Sequence, residues 1–306
     1  MRAILQDIPL GNRRTQTGLI LRQAWFINGC FFNSEIWTGV SDIDLKYLTI
    51  IDHKILRLIT GAQAKVPIEM LFLETSQLPV KNIIASRRIL YLHNILSRHE
   101  DELVRRVYCA MKNSPLKGDW CNTVIQDMEN IGLTLSEEAI SQTSISVFKT
   151  IVKSKMRQHV LDELNNIKMD HSKVNCIVHS DLKSPQKYLT SSILSNEQKS
   201  LLFNLRCKSQ NDFLSNFSSS TIIIPCKICQ NYEDTQEHAL ICDKLKVYLS
   251  LNNIQLSEDI HYSDLFGCVN DQLRITEAFQ VIIDAREKLQ ETTRGLPGHC
   301  SGPRDL

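Results

Sequence analysis

Four residues in the last third of the chain have the types and spacing of a metal-ligand set: Cys226 and Cys229, then His238 and Cys242. Written out, the pattern is C-x2-C-x8-H-x3-C. Zn2+ suits such a set because it is four-coordinate, takes no geometric preference from its d-electrons, and accepts thiolate and imidazole alike. The first two cysteines suit a tight knuckle turn that aims both sulfurs inward. His238 and Cys242 are spaced i, i+4, which places both on one face of a single helical turn. The plain alternative is a pair of buried, unligated cysteines lying near a histidine; four ligands at workable spacing outweigh it, where a lone C-x2-C would not. A site closed by four protein ligands leaves no position for water, so the spacing predicts a structural Zn2+ rather than a catalytic one. A zinc enzyme would need one of the four to be released and a general base nearby. Glu237 is the obvious candidate, and on a helix it points about 100° away from its neighbour His238.

Around this set the acidic residues Glu233, Asp234 and Glu237 would repel phosphates, whereas Tyr232 could stack on a base and Lys227, Lys244 and Lys246 could reach a nucleic-acid backbone. Other candidate phosphate contacts lie earlier. Lys81, Arg87 and Arg88 fall close together on one predicted helix with Tyr91, and Lys149, Lys153, Lys155 and Arg157 are exposed on another. Ordinary surface salt bridges explain the arginines equally well. The formal net charge of +1 excludes a simple polycation but conceals an uneven distribution. Residues 149–208 hold eleven Lys or Arg against five Asp or Glu, so the remainder of the chain is net acidic. A basic segment in a neutral protein is either a nucleic-acid surface or a solvated face.

The elements that must position these residues follow a helical period from end to end. Residues 19–32 read as a helix apolar around most of its girth, hence deeply buried. Ser41 with Asp44 resembles a capping box, backed by a stripe of Leu48, Ile51, Ile55, Leu58 and Ile59, with Gly61 as the terminating glycine. Pro67 and Pro79 open the next two helices, the second over 80–97 with Ile83, Ile84, Leu90, Ile95 and Leu96 inward. Amphipathic stretches follow at 100–111, 120–131, 144–164 and 196–206, and a closing helix carries Leu273, Ile275, Phe279, Ile282, Ile283 and Leu289. Residues 171–174 and 183–188 read as loops. A β-branched run at 221–224 would deliver the chain to Cys226. Residues 132–136 look like a hinge. The expected fold is mainly α: an irregular helical bundle, a small zinc-knuckle segment and a C-terminal helix. The expected divisions are 1–132, a basic helical linker at 133–220, the knuckle at 221–250, a helical segment at 251–292 and a disordered tail at 293–306.

The ten cysteines are not accompanied by a secretory signal, since the opening apolar run breaks at Gln6 and Asp7. The expected compartment is therefore intracellular and reducing, nuclear or cytoplasmic, with Cys30, Cys109, Cys121, Cys176, Cys207 and Cys268 as small buried hydrophobes. The most apolar stretch, 18–32, is interrupted by Arg22, Gln23 and Asn28 and is too short and too polar to span a bilayer.

Several stretches taken in order resemble the carboxy-terminal region of the reverse-transcriptase polyprotein of LINE-type (non-LTR) retrotransposons. They are NSEIW at 33–37, LRLITG at 56–61, PIEMLFLET at 67–75, LP at 78–79, RRILYLH at 87–93, GDW at 118–120, HSKV at 171–174, the Cys/His knuckle, and DLFG at 264–267. The similarity runs over most of the chain, roughly 14–289, and lies in the order of the segments rather than in any one of them. It implies a thumb-like helical domain over 1–132 that grips primer and template, a linker, and a CCHC zinc knuckle implicated in RNA or DNA binding. Under it the zinc ligands are Cys226, Cys229, His238 and Cys242, and Lys81, Arg87 and Arg88 sit near the thumb. The departures matter as much. Polymerisation needs paired metal-binding carboxylates, and the chain has no Asp-Asp dipeptide. The nuclease signature of some related elements is matched only in its second half, at Asp44-Leu-Lys46 and Asp181-Leu-Lys183, without the preceding Pro-Asp and not after the knuckle. The resemblance thus implies a non-catalytic nucleic-acid-binding fragment. The alternative is a helical protein-interaction module with structural zinc and no nucleic-acid role.

Overall fold

Every extended element among the described residues is helical, and the one β interaction is an isolated antiparallel bridge between Pro225 and Glu233. The computed structural model describes residues 13–38, 40–114, 116, 118–170, 182–210, 213, 224–252, 254 and 260–294. The chain divides into two compact units, Met1–Ser192 and Ile193–Leu306. The HSKV loop, residues 221–223, Cys176 and the tail from 295 onward lie outside the described residues.

In the first unit, helix α1 (Arg14–Leu21) runs into a π-helical stretch, Arg22–Ile27, and a last turn, Asn28–Cys30. It is followed by α2 (Asp42–Thr60), α3 (Ile68–Thr75), α4 (Val80–Leu96), α5 (Leu103–Asn113), α6 (Trp120–Asn130), α7 (Glu137–Gln142), α8 (Ile145–Asp170) and a single turn, α9 (Lys187–Thr190). Local chemistry sets several boundaries. Ser41 accepts from the Asp44 N–H while Asp44 accepts from the Ser41 N–H, the reciprocal box expected for α2, and Gly61 ends that helix at φ 68°. Asp119 and Ser136 cap α6 and α7 in the same way, each accepting an N–H three residues on.

The hub of this unit is α4, which packs against α2, α5, α6, α7 and α8. Its buried face carries Ile89, Leu92, Ile95 and Leu96, meeting Trp120, Val124 and Met128 of α6 and Phe148, Val152 and Met156 of α8, while Ile84 packs with Phe26, Ile27 and Phe31 at the end of the first helix. Truncating any one of these large side chains to Ala is expected to cost roughly 2–5 kcal/mol.

The first helix is buried on one side only, contrary to its apolar sequence. Ile20, Trp25 and Phe32 are exposed, whereas Arg22 is fully buried with Phe26, Ile27 and Phe31. The π turn explains the choice: bonds of i→i+5 type add about one residue per turn, so Arg22, Phe26/Ile27 and Phe31 align inward and Trp25 rotates out. Arg22 meets Asp52 of α2 through two bonds, Nε to Oδ1 at 2.6 Å and Nη2 to Oδ2 at 2.7 Å, and donates Nη1 to Gln77 Oε1 at 2.7 Å. The buried face of α2 therefore centres on Asp52, Leu56 and Ile59, and Ile51 of the expected stripe is turned outward. Gly18 lets α1 close on α2, because a Cβ there would sit 2.8 Å from Cγ1 of Ile59.

Four other expectations change. The stretch at 132–136 is a tight helix exit rather than a hinge: Leu133 donates to Met128 O at 2.8 Å and buries its side chain, and Ser136 starts α7 at once. The basic helix α8 then belongs to the first unit, packed on α4, so the division falls at 192/193 instead of 132/133. Helix α5 is shifted and buries only Tyr108, with Leu103 and Val107 outside. Of the isolated cysteines, Cys121 and Cys207 are buried, while Cys30, Cys109 and Cys268 are exposed. A lone cysteine fits either face of a helix, so its position carried no such information.

The second unit holds α10 (Asn196–Arg206), α11 (Gln236–Ile241), α12 (Asp243–Leu251), a 3-10 turn Tyr262–Phe266 and the long α13 (Val269–Arg294). Helix α10 has the expected bounds, with Ser195 and Gln198 forming its capping box. Helix α13 extends two residues beyond the expected 292 and is the hub, touching α10, α11, α12 and the 3-10 turn through Ile275, Ala278, Phe279, Ile282 and Ile283.

Breaking the Arg22–Asp52 pair strands a guanidinium out of water. Asp52→Ala is expected to lower stability by about 3–5 kcal/mol, and Arg22→Met/Asp52→Leu together by much less. All three tryptophans (25, 37 and 120) lie in the first unit, so denaturant unfolding followed by Trp fluorescence reads this effect directly.

Candidate metal centre

The knuckle is built by a short hairpin feeding a short helix. Cys226 donates its N–H to Tyr232 O at 2.6 Å, Asp234 donates to Ile224 O at 2.9 Å, and the Pro225–Glu233 bridge lies between them. The loop turns back over Cys226 O, which accepts from the Gln230 N–H at 3.0 Å, with Gln230 in the left-handed region at φ 63°. The hairpin then delivers Thr235, whose hydroxyl accepts the His238 N–H at 2.9 Å and caps α11. The capped turn fixes the direction in which the His238 ring leaves the helix.

The ligand atoms of Cys226, Cys229, His238 and Cys242 all lie within 4.8 Å of one another, and these four could hold a metal ion. Cys229 Sγ is 3.2 Å from His238 Nε2. Bonds of about 2.3 Å to sulfur and 2.0 Å to nitrogen in a tetrahedron imply an S···N edge of about 3.6 Å, so the geometry fits a four-coordinate ion. The three cysteines are buried and His238 is half-buried. One detail departs from the spacing argument: α11 ends at Ile241, and Cys242 lies between α11 and α12 with ψ at 111°. The extended residue breaks the helix and turns its sulfur back to the other three.

The thiols are held in different states when no metal binds. Burial raises the pKa of Cys229, yet N–H groups of Asn231 and Tyr232, with His238 and Cys226, outweigh it and bring the thiol down to about 6. At Cys242 burial dominates and pushes the thiol up to about 11. Donors converging on one sulfur are what a thiolate ligand requires.

The surroundings revise the acidic insert. Asp234, fully buried, accepts from Arg286 Nη2 of α13 at 2.6 Å, and Arg286 also lies over the Phe213 ring at 4.8 Å. Glu237 pairs with Lys208 at 3.2 Å. Only Glu233 of the three acids is exposed without an ion pair among the described residues. Asp234 and Arg286 were not identified from the pattern. The available signal was Arg286 itself, three residues beyond Ile283 on the apolar face of α13, where a cation needs a partner.

The candidate nucleic-acid residues are scattered rather than brought together. Arg88 is held by Asp127 through Nε at 2.6 Å and Nη2 at 3.1 Å, and Arg87 is used up on backbone and side-chain acceptors at Phe31, Ile27, Ser34 and Asn28. Lys81 pairs with Glu163 at 3.0 Å. The two arginines serve the fold, whereas Lys81 sits in an exposed surface pair. Lys149, Lys153 and Lys155 of α8 are exposed, and Arg157 donates to Lys183 O at 3.2 Å. Lys155 lies about 200° around the helix from Lys153, so α8 does not present one basic stripe. At the knuckle, Lys244 and Lys246 are exposed and Lys227 is half-buried. Tyr232 is 65% exposed, with its ring centroid 5.1 Å from that of His238.

In the metal-free protein a thiolate absorbance titration is expected to show a step near pH 6 that Cys229→Ser removes. Because that folded pKa lies below the ordinary 9.0, the stabilisation is full above pH 9 and is lost as the pH falls through about 6. Asp234→Ala, which takes this carboxylate away from the buried Arg286, is expected to destabilise the second unit by about 3–5 kcal/mol in denaturant unfolding. No described helix is long and apolar enough to cross a membrane. Comparisons of the chain with family models, with curated proteins and with solved structures return no match.

Proposed function

We propose that this chain is a non-catalytic, zinc-stapled helical protein that binds single-stranded RNA or DNA through the surface of its knuckle. The observation that carries the reading is the Cys226, Cys229, His238 and Cys242 cluster, with Tyr232 projecting from the same hairpin. Three thiolates and one imidazole select Zn2+ over harder cations, and a reducing cell interior keeps the thiols free for it. With four protein ligands the ion organises the fold and activates no water.

One face of the Tyr232 ring leans on His238 and most of the ring is open, which suits stacking against a base. Lys227 is next to one ligand, and Lys244 and Lys246 lie two and four residues beyond another, within reach of phosphates. Pairing of Asp234 with Arg286 and of Glu237 with Lys208 removes most of the repulsion that the acidic insert would exert. The resemblance to the tail of LINE-type reverse transcriptases supports the same function: a nucleic-acid-binding portion without the polymerising carboxylates.

One observation favours a second reading. The buried Asp234–Arg286 pair ties the hairpin to α13, as expected if zinc only staples this unit and the partner is a protein.

Elemental analysis is expected to give one zinc per chain, lost with unfolding of the knuckle on Cys226→Ser. Fluorescence anisotropy with a single-stranded oligonucleotide is expected to show affinity falling steeply with salt, and Lys244→Ala/Lys246→Ala should lower the log–log salt slope by about 1–2. Tyr232→Ala should cost about 1–3 kcal/mol of binding. Zinc-dependent folding with no oligonucleotide binding at low salt would select the second reading.

A further inference from the structure

Between α4 and α8 the first unit has a groove of about 480 Å3 whose charges are all of one sign. Two other cavities in this unit, of about 320 and 420 Å3, contain carboxylates that neutralise their cations: Asp127 against Arg88, and Glu163 against Lys81. The α4–α8 groove has none. Its cations are Arg87, Lys149 and Lys153. Arg87 is bonded only to carbonyl, hydroxyl and amide oxygens, which orient the guanidinium without cancelling its charge. Lys149 and Lys153 are exposed and have no ion pair among the described residues. The lining between them is aliphatic, from Leu78, Ile83, Leu90 and Val152.

The arrangement is that of a two-helix cleft open to a third. Ile83, Arg87 and Leu90 are spaced i, i+4, i+7 and so line one face of α4, and Lys149 and Lys153 stand one turn apart on α8. Leu78, Ile83 and Leu90 are half-buried, which leaves apolar surface for an occupant to cover. No aromatic ring lines the groove, so it lacks the platform on which bases stack. Aliphatic knobs at helical spacing flanked by carboxylates would fill it.

We propose that this groove is a docking site for an acidic amphipathic helix of a partner protein, whose Leu or Ile side chains enter the cleft while Asp or Glu residues meet Lys149 and Lys153, with the charge of Arg87 adding to the field. The site lies wholly in the first unit and is independent of the knuckle and its nucleic-acid reading.

The test uses the full chain and a fluorescein-labelled synthetic helix of roughly four turns, with Leu at i, i+4, i+7 and Glu beside them. Controls are a scrambled peptide of the same composition and a single-stranded oligonucleotide. Anisotropy is expected to show saturable binding of the ordered peptide and much weaker binding of the scrambled one. Lys149→Glu/Lys153→Glu, both at exposed positions, should weaken peptide binding roughly tenfold or more with unchanged circular dichroism. Ser86→Phe, which fills the groove without altering its charge, should also abolish it. Absence of peptide binding, or equal binding of the scrambled peptide, would overturn the proposal. So would oligonucleotide binding that the Lys149/Lys153 reversal abolishes while peptide binding is untouched, because the groove would then serve nucleic acid.

Discussion

Two guanidiniums taken almost completely out of water are met by carboxylates distant in sequence, one in each unit. Arg22 reaches Asp52 across thirty residues and Arg286 reaches Asp234 across fifty-two, both at 2.6 Å with side chains almost completely buried. Such pairs are weak contributors to net stability, but a misaligned one is severely penalised. They act as registers: α1 seats correctly on α2, and the hairpin seats correctly on α13, only when the charges coincide. The π turn at Arg22–Ile27 fits this constraint, since it rotates the arginine and three apolar neighbours to a common side.

The knuckle needs such a register because it has little else. Its hairpin holds one β-bridge and its helix α11 has six residues, too short to be stable without help. Four converging ligands supply what a hydrophobic core supplies elsewhere: a reason for distant backbone segments to meet in one geometry. The Asp234–Arg286 pair then couples that geometry to α13, and the Thr235 cap aims His238.

The charges of the chain have been sorted by packing rather than by type. Arg88 and Arg286 are paired with carboxylates inside the fold, Lys81 is paired with Glu163 at the surface, and Arg87 holds the end of the first helix. Lys149 and Lys153, and the lysines that follow Cys242, remain turned outward. A net charge of +1 conceals this division, because buried pairs and free surface cations count alike in the sum.

Much of the local structure was legible in the chain itself. The capping box at Ser41 and Asp44 set the start of α2, the bounds of α10 were read correctly, and the mainly α fold followed from the apolar period. The cluster of Cys226, Cys229, His238 and Cys242 was identified from spacing alone, since soft donors at short intervals suit a common centre. Which face of a helix is buried depends instead on what lies opposite. Arg22 read as an interruption and is the centre of a core; Asp234 read as a repulsive surface charge and is the anchor of the hairpin. Their partners lie at Asp52 and Arg286, and no period along a single helix reports a contact made across thirty or fifty residues. Sequence determined the elements and the grouping of Cys226, Cys229, His238 and Cys242 because both are short-range. The pairing of charges, and with it the division into units at 192/193, was decided only by tertiary packing.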